Sequence, residues 1–581
     1  MPKSGWAKQE IQIEAKNLAM FGYGQMSHRA TKKRTALFAR TILITVDADQ
    51  GMGGDQPIIF CCLDLGCITF AMRDGIVQSL SKYTWFDQEK LVLMATHTHS
   101  APGGCSYDAL YNMPTPGFVA EHVDLIVQAT VQSISDAYQA MADCELRTAQ
   151  NTFATHIPVA WNRSLDAYNQ NPEVTQRKLS ETHLALDREM NVLGIYQNNQ
   201  LCALMSLFGV HATCLGNQLN AYDGDNKGYA AASTEQYLSS QSTTSQSLSS
   251  QSVNAPVAIF AQSTAGDVSP HFHGKDQLKI RQKIQGEAEY QYAERNGQLQ
   301  SECALQALNH SQALSLSKAK AVLQYIDLSN IDVDPEFSRG MHGAKTSQPC
   351  HGSAFFAGTP VDGLGTAKPI VMAMNLLSNQ VRKARLNPKH PQFEKYQALY
   401  ASQGNKPIVL EAGEKKILGQ RLDIAPSFVD PLIAELNRQY QAGAIQHSQL
   451  VPTIVPIQLV QLGEITFVCC AGEVTTIAGQ RLKQTVAKAL GAQSSEKTWL
   501  ISYCNDYMGY VTTNEEYQLQ AYEGGHTLYG QWTLGALQTR FSTLAQQMRL
   551  EKVDRKYDHN LRPLIPPAHE LAKRTNNIYS Q

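Results

Sequence analysis

None of the twelve cysteines stands in a CxxC pair. The neighbouring pairs Cys61-Cys62 and Cys469-Cys470 lie inside apolar, strand-like runs, so a thiolate zinc site or a disulfide framework is not expected. Reduced core thiols fit those positions better. Long apolar runs are missing too: none approaches the ~20 residues of a membrane-spanning helix. The N-terminus, Met1-Pro2-Lys3-Ser4-Gly5-Trp6, has no apolar stretch of the kind that makes a secretory signal, which leads to the expectation of a cytoplasmic location, or of a secreted one where a signal has been removed. Charge of one sign is also lacking. Forty-nine Lys and Arg face 51 Asp and Glu, for a formal net charge of -2, and no basic stripe is present to neutralise phosphates. Nucleic-acid binding is therefore not expected. No amphipathic basic helix suited to membrane attachment stands out, and no repeat occurs at solenoid or propeller periods.

What the chain does have is apolar mass and order. With 43% apolar and 17% charged residues over 581 positions, it can bury a large core. Short apolar runs repeatedly end in polar chemistry. Leu91–Ala95 leads into Thr96-His97-Thr98-His99, and Leu204–Val210 leads into His211. Val257–Ala261 leads into Gln262-Ser263, Ile465–Cys470 into Ala471-Gly472-Glu473, and Trp499–Tyr503 into Cys504-Asn505-Asp506. Such runs read as buried strands. Helical patterns lie between them, over Phe118–Met141, Asp430–Gln441, Thr475–Leu490 and Tyr529–Arg549. The alternation predicts an α/β fold of mixed β-sheets flanked by helices, with the active site at the carboxyl ends of strands. Residues 1–549 are expected to form one catalytic domain and 550–581 a polar C-terminal tail. Residues 239–252, SSQSTTSQSLSSQS, are low in complexity and predict a surface loop, while 379–403 read as surface helix and loop.

His97 and His99, at i and i+2 of an extended segment, point to one face and can reach one site. By itself such a pair is equally two polar residues closing a strand. A single strand histidine such as His211 is more often a satisfied core residue than a ligand. Glu473 closes a very apolar run, where an ionised carboxylate costs several kcal/mol unless a cation balances it. A divalent metal would supply that balance, and two imidazoles with one carboxylate suit zinc.

THTHSAPGG at 96–104 resembles the signature of the neutral, non-lysosomal ceramidases. The resemblance recurs in order through MFGYGQ (20–25), WNRSLDAYNQNP (161–172), GDNKGYA (224–230), AQSTAGDVSP (261–270) and FFAGTPVDG (355–363). It continues in KPIVLEAGE (406–414), AGEVTTIAGQRLK (471–483) and GYVTTNEEYQLQAYEGGHTLYG (509–530). It implies one catalytic Zn2+ held by His97, His211, Glu473 and, unusually, the phenol of Tyr510. His99 is then the histidine that does not bind metal and serves the leaving amine or the substrate. Arg163 and Tyr522 carry over as catalytic and substrate-site groups, Ser269 as a serine implicated in catalysis, and Tyr529 and Gly22 as substrate-binding positions. The implied activity is zinc-dependent hydrolysis of an N-acyl amide, ceramide to sphingosine and fatty acid. A same-fold amidase for a more soluble N-acyl amine is the alternative. An N-acyl lipid and transient contact with a membrane surface are the expected partners. Many members continue into a C-terminal β-sandwich, which residues 550–581 are too short to form.

Overall fold

The computed structural model describes residues 2–46, 56–243, 255–273, 277–316, 319–359, 361–424 and 430–577. Three sheets of similar plan organise the chain. The first runs through β1 (Lys3–Glu10), β2 (Phe38–Thr45), β3 (Ile58–Leu63) and β4 (Leu91–Ala95), with Ala142–Asp143 completing the edge beside β1. The second contains β5 (Glu145–Thr152), β6 (Glu189–Gln197), β7 (Gln200–Leu207) and β8 (Val257–Ala261), with Gln312–Ala313 beside β5. The third consists of β9 (Ala319–Asp327), β10 (Ile454–Leu462), β11 (Ile465–Cys470) and β12 (Thr498–Ile501).

In each sheet an antiparallel set ends in one parallel pair: β3 with β4, β7 with β8, and β11 with β12. These strands read as continuous apolar runs because both faces are covered. Phe60, Met94, Met205, Ile259, Phe467 and Trp499, drawn from all three sheets, share one core cluster. The carboxyl ends of β4, β7, β8, β11 and β12 are thereby brought together. The apolar runs at 91–95, 257–261 and 465–470 coincide with observed strands.

Helices cover the outer faces. Ala120–Gln139 packs on β1 and β2, Asp225–Thr243 and Glu287–Leu308 pack on each other and on the second sheet, and Thr476–Ala489 and Thr533–Met548 cover the third. One expectation changes. The low-complexity segment is not a loop at its start, since 239–243 continue the helix Asp225–Thr243; its remainder lies outside the described residues. The tail is anchored near its end. Its helix Ala568–Arg574 places Glu570 to accept the backbone N–H groups of His447 and Ser448, and Arg574 donates to the Tyr107 carbonyl. All twelve cysteines are buried and unpaired in disulfides. Among the described residues no helix is long and apolar enough to cross a membrane.

Candidate metal centre and active-site cavity

β4 runs out at Ala95, and the next residues continue along the end of β3: Thr96 N–H donates to the Leu63 carbonyl and His97 N–H to that of Leu65. His97 then turns with φ 65°, a left-handed conformation costly for a residue with a Cβ. Tyr503 (φ 55°) and Asn505 (φ 63°), just past β12, share that strain. Asn505 locks the junction: its side-chain Oδ1 accepts from Leu93 N–H and Arg73, and its backbone N–H donates to the Leu93 carbonyl. The Gln262 amide, past β8, donates to the carbonyls of Thr96 and Val210, tying the ends of β4 and β7 to that of β8.

Two imidazoles are fixed in the same way. His97 Nδ1 lies 2.5 Å from the Gly66 carbonyl and His211 Nδ1 2.6 Å from that of Ala265. A carbonyl can only accept, so each Nδ1 carries the proton and each Nε2 offers a lone pair. Both lone pairs face one carboxylate oxygen, with Glu473 Oε2 at 3.5 Å from His97 Nε2 and 3.1 Å from His211 Nε2. Glu473 and Tyr510 pair directly in a short parallel ladder, Glu473–Val474 against Tyr510–Val511, which places their side chains together. The Tyr510 hydroxyl is 3.3 Å from His211 Nε2. Burial pushes the Glu473 carboxyl up; positive charge on His97 and His211 outweighs that and holds the group well below the usual carboxylate range, and when both Nε2 atoms present lone pairs the same balance has to come from a cation. Burial raises the Tyr510 phenol, and the Glu473 charge raises it further, against the pull of Arg163.

Lone pairs on two nitrogens and a carboxylate oxygen, turned toward each other in a buried site, repel unless a cation sits among them. The nitrogen and oxygen donors present therefore fit a divalent metal of the zinc type. The ligand atoms of His97, His99 and His211 lie within 4.8 Å of one another, so proximity alone gives a three-histidine group. Anchoring separates them. His99 Nε2 is 3.1 Å from His97 Nε2, but no protein group holds His99 Nδ1. Burial first, then His97 and His211, keep the His99 imidazole well below its ordinary range and hence neutral.

The cluster forms the floor of a cavity of about 740 Å³, whose walls include Phe21, Gly22, Tyr111, Phe355, Ile370 and Leu432. Gly22 has φ 118°, and a Cβ there would meet the His99 ring at 2.3 Å. Only glycine lets that backbone lie against the imidazole. Tyr522 also lines the cavity, its ring edge-on to Tyr510 with centroids 5.4 Å apart.

Arg163 reaches the cavity but is heavily committed. Its guanidinium donates to Glu523 Oε1 (2.9 Å), Asp362 Oδ2 (2.8 Å), the Gly266 carbonyl (2.9 Å) and the Tyr510 hydroxyl (3.0 Å). Two expected positions lie behind the wall. Ser269 is fully buried and donates to Asp362 Oδ1 at 3.1 Å, so it braces Asp362 and does not face the cavity. Tyr529, expected to line the pocket, sits in the core with its hydroxyl on the Pro452 carbonyl. It belongs to the same buried apolar cluster as Leu528 and Trp532.

The sequence reading missed four groups. The hydroxyls of Tyr503 and Tyr507 both donate to Glu473, and Asp362 and Glu523 hold Arg163. Asp362 and Glu523 stand within the quoted segments FFAGTPVDG and AYEGGH, where an acid beside apolar residues was the available signal. Tyr503 and Tyr507 flank the Cys504-Asn505-Asp506 strand end, where nothing in the local sequence distinguishes them from core aromatics.

The sequence profile described as neutral/alkaline non-lysosomal ceramidase, N-terminal, matches residues 3–436 and 439–539. The neutral ceramidase of Pseudomonas aeruginosa is 27% identical over 558 residues, covering 94% of this chain and 72% of that protein. Neutral ceramidase A of Dictyostelium discoideum is 29% identical over 511 residues, 83% of this chain and 64% of its own length. The crystal structure of the Pseudomonas enzyme superposes with a TM-score of 0.71 over 94% of this chain and 74% of that one, at 27% identity. A solved structure described as ceramidase complexed with C2 gives 0.74 at 26% identity, over 97% of this chain and 78% of that one. The chain belongs to the neutral/alkaline non-lysosomal ceramidase family.

Proposed function

We propose that this chain is a zinc-dependent amidase that cleaves the amide of an N-acyl lipid such as ceramide, releasing a fatty acid and the free amine. One observation carries the reading: acceptor atoms of His97, His211, Glu473 and Tyr510 converge on the floor of an apolar-walled cavity. Zinc, when bound, supplies Lewis-acid polarisation of the amide carbonyl and acidifies water at neutral pH. His97, His211 and Glu473 would hold it, with Tyr510 completing the set once the cation and Arg163 favour its phenolate.

The protein groups do the rest. Neutral His99, free at Nδ1, takes the proton released as water attacks and returns it to the amide nitrogen, since an amine leaves poorly as an anion. Tyr522 keeps its proton, because burial and the nearby Glu473 charge raise its phenol. Its hydroxyl can donate to oxygen as charge develops there. The apolar walls exclude water from the acyl chain and strengthen these interactions. The acid–base role belongs to His99 rather than Ser269, which lies behind Asp362.

The direct test is release of fatty acid from ceramide by the purified chain, before and after chelation and after zinc is restored. Loss and recovery of turnover are expected. Activity confined to short soluble N-acyl amines would replace the lipid by such a substrate. A second expectation concerns Gly22→Ala. The added methyl displaces the His99 ring, and a shift of that kind is expected to cost about 10²-fold in kcat. Zinc content should stay unchanged, because His97 and His211 keep their anchors. Wild-type turnover in Gly22→Ala would remove His99 from the chemistry.

A further inference from the structure

The helix Lys368–Arg385 begins at the cavity mouth, where Thr366, Ala367 and Ile370 form part of the wall. Its buried stripe is Met374, Ser378 and Arg385. The opposite pole is apolar and open to solvent, with Met372 and Leu376 each 66% exposed. At 100° per residue, Lys368, Met372, Leu376 and Lys383 fall on a single outward arc facing away from the buried stripe. Two exposed lysines thus bracket the two most exposed apolar side chains.

The surrounding sequence is basic. Residues 366–393 contain no Asp or Glu but do contain Lys368, Arg382, Lys383, Arg385 and Lys389. Only Arg385 among these is tied to a carboxylate by an ion pair in the described structure, with Glu411. The sequence expectation of a surface helix and loop covers only 379–403, whereas the helix and its exposed apolar residues begin before that point.

We propose that the outward face of helix Lys368–Arg385 docks on a bilayer bearing anionic headgroups and so presents the cavity mouth to the lipid phase. Leucine and methionine enter the acyl boundary while the lysines stay at headgroup level. Basic side chains near such a surface add attraction that salt screens. A protein or a second copy seated on this face would cover the entrance instead of feeding it. The inference rests on the lipid-amide reading of the cavity, yet its test reads binding and not turnover.

The experiment floats the chain of residues 1–581 with phosphatidylcholine vesicles, with and without phosphatidylglycerol. Wild type is expected to float with the anionic vesicles, and to lose most of that binding in high salt. Met372→Glu/Leu376→Glu should weaken binding about tenfold or more. Neither side chain lines the cavity, so hydrolysis of a soluble short-acyl amide and the unfolding temperature should not change. Undiminished vesicle binding by the double variant overturns the proposal, as does a wild-type chain that never floats. A concentration-dependent dimer abolished by the same substitutions would also overturn it and assign the face to a second copy. Vesicle binding without hydrolysis of any lipid amide would leave the docking face standing and remove the functional reading.

Discussion

Glu473→Gln is expected to empty the metal centre and lower kcat/KM by about 10³-fold, several kcal/mol of transition-state stabilisation. The substitution keeps the shape and removes the charge. The Gln oxygen can still accept from Tyr507, whereas its NH2 group turns toward the His97 and His211 Nε2 lone pairs and donates to them. That relieves the crowding of acceptors that a cation otherwise resolves. The metal-free variant should therefore be as stable as the metal-free wild type, or more so. The stabilisation that zinc gives the wild type, which follows from binding the folded state alone, should vanish. Metal content by mass spectrometry and unfolding temperature with and without zinc measure both. A variant that binds one zinc per chain and turns over normally would place the metal elsewhere.

Much of this architecture was legible in the sequence because buried parallel strands announce themselves as apolar runs. The runs ending before His97, His211 and Glu473 are strands whose ends meet, and hydrogen bonds from Gln262 and Asn505 tie those ends together. What stayed hidden depends on partners far away in the chain. Tyr503 and Tyr507 matter only because Glu473 arrives beside them from β11. Asp362 matters because it meets Arg163 across 199 positions. Tyr529 was misplaced for the opposite reason. A tyrosine near a motif reads as a pocket residue until the helix that follows it packs its ring inward. The exposed face of Lys368–Arg385 could not be told from a buried one by periodicity, because an apolar stripe carries no label for what covers it.

Arg163→Ala is expected to cost about 3–5 kcal/mol of stability together with nearly all turnover, because the guanidinium balances two buried carboxylates. Burial alone would push the Asp362 carboxyl up; Arg163 first, with His211 and His271, outweighs it and holds the group below its ordinary range. Without the arginine, Asp362 and Glu523 face each other's surroundings uncompensated, and the Tyr510 hydroxyl loses its donor. The sign for pH follows. Asp362 is depressed in the folded state, so its contribution is present above the unfolded carboxylate range and is lost as pH falls through the folded value. Wild type should accordingly lose this increment only in acid, whereas the alanine variant lacks it throughout and flattens that part of the profile. Arg163→Lys restores one charge but not the fork that reaches Glu523, Asp362, Gly266 and Tyr510 together, so stability should return further than activity. Tyr510→Phe separates the two roles: it keeps both ion pairs and removes only the phenol, so it should weaken zinc binding at near-normal stability. Denaturant unfolding across pH, with zinc content for all three variants, decides the matter. An Arg163→Ala chain of unchanged stability that lost only substrate affinity would make the arginine a simple substrate contact. A destabilised alanine variant beside a stable, zinc-poor Tyr510→Phe variant would make it the brace that sets the phenol at the metal.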